Sequence, residues 1–122
     1  MASSSLPLAS ETRQAAAPVD LVHLARHTFG NRELEHEVLR LFSCQSEIWM
    51  EKLKQAHDAA QRARAVHTIK GSARGIGAWQ VADLAERLEA DAQAMTDGLS
   101  GDLEDAISAA NAFIRHLLNE RA

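Results

Sequence analysis

A chain of 122 residues suits one domain with a single core. Aromatics make up 4% and the AVILMFWYC group 46%, much of it alanine, which favours closely packed helices over a sheet. A formal net charge of -4 argues against a general nucleic-acid binder, and the lone cysteine, Cys44, excludes an internal disulfide framework.

Cys44 is expected to be a small apolar packing residue in a reducing compartment. No stretch approaches the roughly 18 uninterrupted apolar residues of a membrane span. The N-terminus lacks the basic start and long apolar run of a secretory signal. A cytoplasmic protein with no membrane partner is expected.

Residues 1–17, rich in Ser and Ala, read as a disordered tail or linker. They offer little surface to bury against the entropy of ordering. The folded domain is expected over residues 18–122. A short helix is predicted from Val19 to Thr28, with Leu21, Leu24 and Ala25 turned inward. His23 and His27 have the one-turn spacing of zinc ligands, but no His-Glu-x-x-His pattern and no third ligand accompany them, so both are assigned to the surface.

Phe29-Gly30-Asn31 breaks this helix, and Asn31 can cap the next. Across residues 32–56, Leu34, Val38, Leu41, Phe42, Ile48, Trp49 and Leu53 recur at helical spacing. Most are predicted to be core, with some left for docking a partner. Asp58 and Gln61 then resemble a capping box, which puts a turn at Ala56-His57.

The stretch from Asp58 to Ala78 organises the rest. At about 100° per residue, Ala60, Ala63, Arg64, Lys70, Gly71, Arg74 and Ala78 fall roughly within 60° of His67. Ala65, Ile69, Ser72 and Ile76 fall on the opposite side and can face a core. The helix therefore has a buried back and a front whose most reactive group is one imidazole. Gly71 is out of place there, because a mid-helix Gly costs about 1 kcal/mol relative to Ala. One reason to keep it is close approach of another group to the backbone. Gly77 is predicted to end or kink the helix.

Residues 79–96 continue with Val81, Leu84, Ala85, Leu88, Ala92 and Met95 on one helical face. Residues 97–101 read as a loop. A last helix, from about Asp102 to Asn119, is expected to bury Leu103, Ile107, Ala110, Ile114, Leu117 and Leu118. His36, His57 and His116 are assigned to the surface or to helix ends. The fold class is all-α: an antiparallel up-down-up-down four-helix bundle with the short N-terminal helix covering one end.

The run His67-Thr68-Ile69-Lys70-Gly71-Ser72-Ala73, followed by Gly77-Ala78 and then Leu84, resembles the signature of histidine-containing phosphotransfer (HPt) domains. Upstream, Phe29-Gly30-Asn31, Leu34, Glu37, Leu41 and Phe42 match that family's approach helix, with Asn31 where Asp is usual. The resemblance extends from about Val19 to the C-terminus and implies the same bundle. It implies that His67 takes a phosphoryl group from the phospho-aspartate of a receiver domain in a hybrid histidine kinase. The group would then pass to the aspartate of another receiver, in a response regulator. Nε2 would be the attacking atom. The chain would need no cofactor of its own, Mg²⁺ being supplied by the receiver. It would be a phosphoryl carrier rather than a kinase, since nothing resembles a glycine-rich nucleotide pocket.

Lys70 is expected to pair with phosphoryl oxygens and to disfavour imidazolium at His67. Gly71 would clear space for the incoming group. Ser72 either orients groups near the site or, since its helical position points inward, packs or bonds to backbone. Arg64 and Arg74 either meet phosphate or the acidic rim of a receiver, or are solvated surface charges. Ala60, Ala63 and Ala78 would keep the surface low, and the basic residues would make the local field positive. A lone exposed histidine on a helix is ordinarily a plain surface residue; Lys70, Gly71, the basic surround and Gly77 set His67 apart.

Two further readings stay open: an interaction module that binds receivers without carrying phosphate, and the phosphotransfer segment of a larger histidine kinase. A His-rich metal-binding bundle is disfavoured by the absence of inward Glu-x-x-His pairs. A monomer is expected.

Overall fold

The computed structural model describes residues 17–91 and 98–121, and among these there are five helices and no strand. They are α1 (Leu21–His27), α2 (Arg32–Lys54), α3 (Ala59–Ile76), α4 (Trp79–Ala90) and α5 (Leu99–Arg121). Residues 1–16 of the expected tail lie outside the described ones, as do Ala92 and Met95.

Three of the helix starts, those of α1, α2 and α3, have a side-chain cap. Asp20 accepts from the His23 N–H at 3.1 Å, Asn31 from Leu34 at 3.0 Å and Asp58 from Gln61 at 2.8 Å. These side chains satisfy N–H groups that the first helical turn leaves without a carbonyl. The return arm of the last cap is shifted by one residue, because the Gln61 side chain accepts from the His57 N–H at 2.7 Å. Between α1 and α2 the chain reverses through Phe29 (φ 55) and Gly30 (φ 74).

The four longer helices form a ring of contacts: α2 packs on α3, α3 on α4, α4 on α5, and α5 on α2, while α1 lies against α3. Side-chain pairs fix the sense of two of these contacts. Lys54 meets Glu104 and Asn111 meets Ser46, so α2 and α5 run in opposite directions. Arg74 meets Glu86 while Lys70 meets Glu89, so α3 and α4 also oppose. The core between them joins Leu39, Phe42, Met50 and Leu53 to Ala65, Val66, Ile69 and Ala73 of α3. Val81, Ala85 and Leu88 of α4 and Leu103, Ile107, Ala110 and Ile114 of α5 complete it. Alanine on three of the four helices lets them approach closely, and each fully buried Leu or Ile contributes about 1.5–3 kcal/mol.

Several expectations are corrected. Leu34, Leu41 and Ile48 are exposed, and Leu39 and Met50 are core instead. The buried line of α2 runs through Glu35, Leu39, Phe42, Ser46, Met50 and Leu53, a narrower stripe than hydropathy suggested. Cys44 is exposed, not packed. It sits two residues from Phe42 and Ser46, about 200° round the helix from each. His36 is half-buried with Nε2 shielded from solvent, and His23 is half-buried as well. Leu99, Ser100 and Gly101 belong to α5 rather than to a loop, and Leu99 is buried.

Gly77 caps α3 in the left-handed conformation (φ 80), at the place where the sequence put an end or kink. Its carbonyl accepts from the Asp20 N–H at 2.9 Å, while the Asp20 carboxylate accepts from Trp79 Nε1 at 2.9 Å. His23 Nε2 donates to the Arg74 carbonyl at 2.9 Å, so three hydrogen bonds fasten α1 to the junction of α3 and α4. The chain turns at Gly77, and Ala78 is therefore buried instead of extending the stripe beside His67.

Candidate functional site

His67 lies mid-way along α3, one helical turn after Arg64 and one before Lys70 and Gly71, with its side chain 71% exposed. The buried back of the helix, Val66, Ile69 and Ala73, fixes that orientation by packing into the core. Nδ1 is 2.8 Å from Oε2 of Glu89 on α4. A carboxylate only accepts, so Nδ1 carries the proton and donates. In the neutral ring the lone pair is then on Nε2, which has no partner among the described residues.

Glu89 also accepts from Lys70 Nζ through its other oxygen. Its carboxyl is held below the ordinary glutamate value, first by the hydrogen bond from Lys70 and then by that from His67. One ionised carboxylate thus joins the imidazole to the lysine. Lys70 is mostly covered, its side chain 15% exposed, rather than a freely swinging cation. Arg74 pairs with Glu86, both about half exposed. The expected ring of positive charge is therefore corrected: two of its three members are matched by glutamates from α4.

Gly71 is exposed, and a Cβ built there would meet nothing within 4 Å. No contact inside the protein requires its missing side chain. Ser72 is half-buried and faces away from His67, lining an apolar groove of about 270 Å³ with Leu34, Val38, Leu41, Phe42 and Gly75. Arg64 is exposed and lines a second hollow of about 520 Å³, between the end of α2 and the start of α3. Gly77 acts at the α1 junction, not at the imidazole.

Of the residues singled out in the sequence, the structure brings His67 and Lys70 together, with Gly71 bare beside them. Glu89 was missed. Its signal was present: Lys70 and Arg74 lie one turn apart on one side of the Gly77-Ala78 link, and Glu86 and Glu89 one turn apart on the other. Two helices folded back at that link set the pairs opposite each other.

The described residues are all helical, and His67 presents an exposed imidazole hydrogen-bonded to a carboxylate. The chain matches the Hpt domain family over residues 13–113 and belongs to it. It is thus placed among the histidine-phosphotransfer proteins of phosphorelays, which work with receiver domains. No curated protein and no solved structure matches it. No described helix is long and apolar enough to cross a membrane.

Proposed function

We propose that His67 is the residue that carries the phosphoryl group. Its Nε2 lone pair attacks the phosphorus of a receiver's aspartyl phosphate, a P–N bond forms, and the aspartate leaves with the electrons of the broken P–O bond. The ring becomes positive as this happens, and the Glu89 carboxylate on Nδ1–H offsets that charge. In the second transfer a receiver aspartate attacks the same phosphorus and the Nε2 electrons return to the ring. The protein's part is positioning and charge balance, as phosphoryl transfer requires. The observation that carries this is the hydrogen bond from Nδ1 to Glu89, which leaves Nε2 as the unprotonated, outward nitrogen.

In this reading the donor is a hybrid kinase's receiver and the acceptor a response regulator's, Mg²⁺ sits on the receiver, and the chain acts as a cytoplasmic monomer. Lys70 then divides its charge between Glu89 and the arriving phosphoryl oxygens, and Gly71 lets the receiver reach Nε2. The opposed helix pairs support an up-down-up-down bundle, with α1 fastened across one end.

The test is incubation with phosphorylated receiver domains, followed by acid-lability analysis of the label. Wild-type protein is expected to take acid-labile phosphate and His67→Gln to take none, with unchanged helicity. Labelling of His67→Gln, or none of the wild type by any receiver, would end the assignment.

A further inference from the structure

The two hollows of the α2–α3 crevice differ in character. Toward α1 lies the apolar groove of Leu34, Val38 and Leu41. Toward the α2–α3 turn lies the larger one, bounded by Trp49, Lys52, His57, Asp58 and Arg64. On α3 its wall is formed by Ala60, Gln61 and Arg64, of which Ala60 and Arg64 share the stripe of His67. A partner seated over the imidazole therefore reaches the rim of the larger hollow.

The charge of the larger hollow is unbalanced. Lys54, Lys70 and Arg74 each have a glutamate partner. Lys52 and Arg64 are exposed and make no ion pair among the described residues. Lys52 Nζ rests 4.5 Å from the centre of the Trp49 ring, which holds the ammonium against the wall. The one carboxylate lining the hollow, Asp58, is committed to capping α3. That cap places a carboxylate on the first-turn N–H of Gln61, which disfavours a second anion at the helix end. Two cations against the single carboxylate of Asp58 leave this hollow with a positive surplus on a chain of net charge -4.

We propose that the hollow lined by Trp49, Lys52 and Arg64 is a specificity subsite that takes an acidic segment of the receiver partner and sets the direction in which that partner lies across His67. It rests on the phosphotransfer reading above. The hollow is about 520 Å³ and its Lys52 ammonium is drawn onto the Trp49 ring, which suits a protein segment better than a small anion. With its unpaired cations on the Arg64 side of His67, the surface orients a receiver that has one acidic edge. Such charges at the rim of an interface act on encounter and partner choice, and salt weakens them.

The test starts from the receiver domain that labels the wild type fastest in a transfer profile. Transfer rates are measured against its concentration at several salt concentrations, for wild type, Lys52→Glu and Trp49→Ala. Potassium phosphoramidate serves as a small donor that needs no docking. For Lys52→Glu the half-saturating receiver concentration is expected to rise about tenfold, with the saturated rate kept and the salt dependence flattened. Trp49→Ala should shift it in the same direction by less, and phosphoramidate labelling should be equal in all three. Unchanged half-saturation and salt response in Lys52→Glu overturn the subsite while leaving the phosphotransfer reading intact. Competition by inorganic phosphate at constant ionic strength, relieved in Lys52→Glu, would also overturn it by showing a small-anion site. If no receiver labels the wild type, both readings fall together.

Discussion

Nδ1 of His67 and Oε2 of Glu89 stand 2.8 Å apart across the α3–α4 interface, and the same carboxylate holds Lys70 through its other oxygen. The contact selects which ring nitrogen is free and fixes the direction in which it points. In the proposed transfer Glu89 touches no substrate and acts as a positioning residue for His67.

Glu89→Ala is accordingly expected to slow phosphoryl transfer roughly tenfold, the rate equivalent of one charge-assisted hydrogen bond at the low end of its range. The low end applies because His67 is largely exposed. A role in stability alone would leave the tautomer untouched. Two-dimensional ¹⁵N–¹H spectra of the imidazole should instead show the Nδ1–H form dominant in the wild type and depleted in the variant. An unchanged tautomer ratio would refute the positioning role.

The pH dependence of the same link has a definite sign. The folded-state pKa of Glu89 is depressed, by Lys70 first and His67 second. Its contribution to stability is thus present above the ordinary glutamate value of about 4.3 and is lost as pH falls through the lower folded value. The melting temperatures of wild type and Glu89→Gln should differ by a constant, small amount from about pH 7 down to about pH 5. They should converge in more acid solution. A gap that persisted at the acid end would mean that the carboxylate's charge is not what the link supplies.

Much of this was legible in the sequence because it depends on local chemistry. The caps at Asn31 and Asp58, the left-handed end at Gly77 and the outward placement of His67 each follow from a few neighbouring residues and the helical period. What escaped depends on contacts between helices. Hydropathy marked Leu34, Leu41 and Ile48 as core, but α2 has neighbours on only part of its circumference, so those residues remain outside. The basic residues near His67 were counted along one helix, which hid Glu86 and Glu89 on the next. Ala78 was projected on an ideal helix that Gly77 had already ended.

Gly77→Ala tests the junction that holds α1 to the bundle. A Cβ there would lie 2.9 Å from Asp20 Cβ and 3.1 Å from the Asp20 carbonyl oxygen, both parts of a hydrogen-bonded turn with little room to move. The left-handed φ adds about 1–2 kcal/mol for any residue with a side chain. The melting temperature should fall by roughly 5–10 °C or more, since a domain of this size loses about 4–8 °C per kcal/mol. Calorimetry of the two proteins checks it, and a variant that melted with the wild type would show that the α1 junction yields freely.

Gly71→Gln separates the cost of a residue to the fold from its use to a partner. Nothing lies within 4 Å of a Cβ at position 71, so the substitution meets no steric objection inside the protein. Replacing a mid-helix glycine with a good helix former should raise stability by about 0.5–1 kcal/mol. The new side chain would stand one turn from His67 on the same face, where a receiver must come close to reach Nε2. Transfer from a phosphorylated receiver should therefore fall by at least about tenfold, as losing close approach costs at least that much. Labelling by phosphoramidate, a donor small enough to pass the glutamine, should persist. Higher stability with unimpaired receiver transfer would show that the bare backbone beside His67 is not there for a partner.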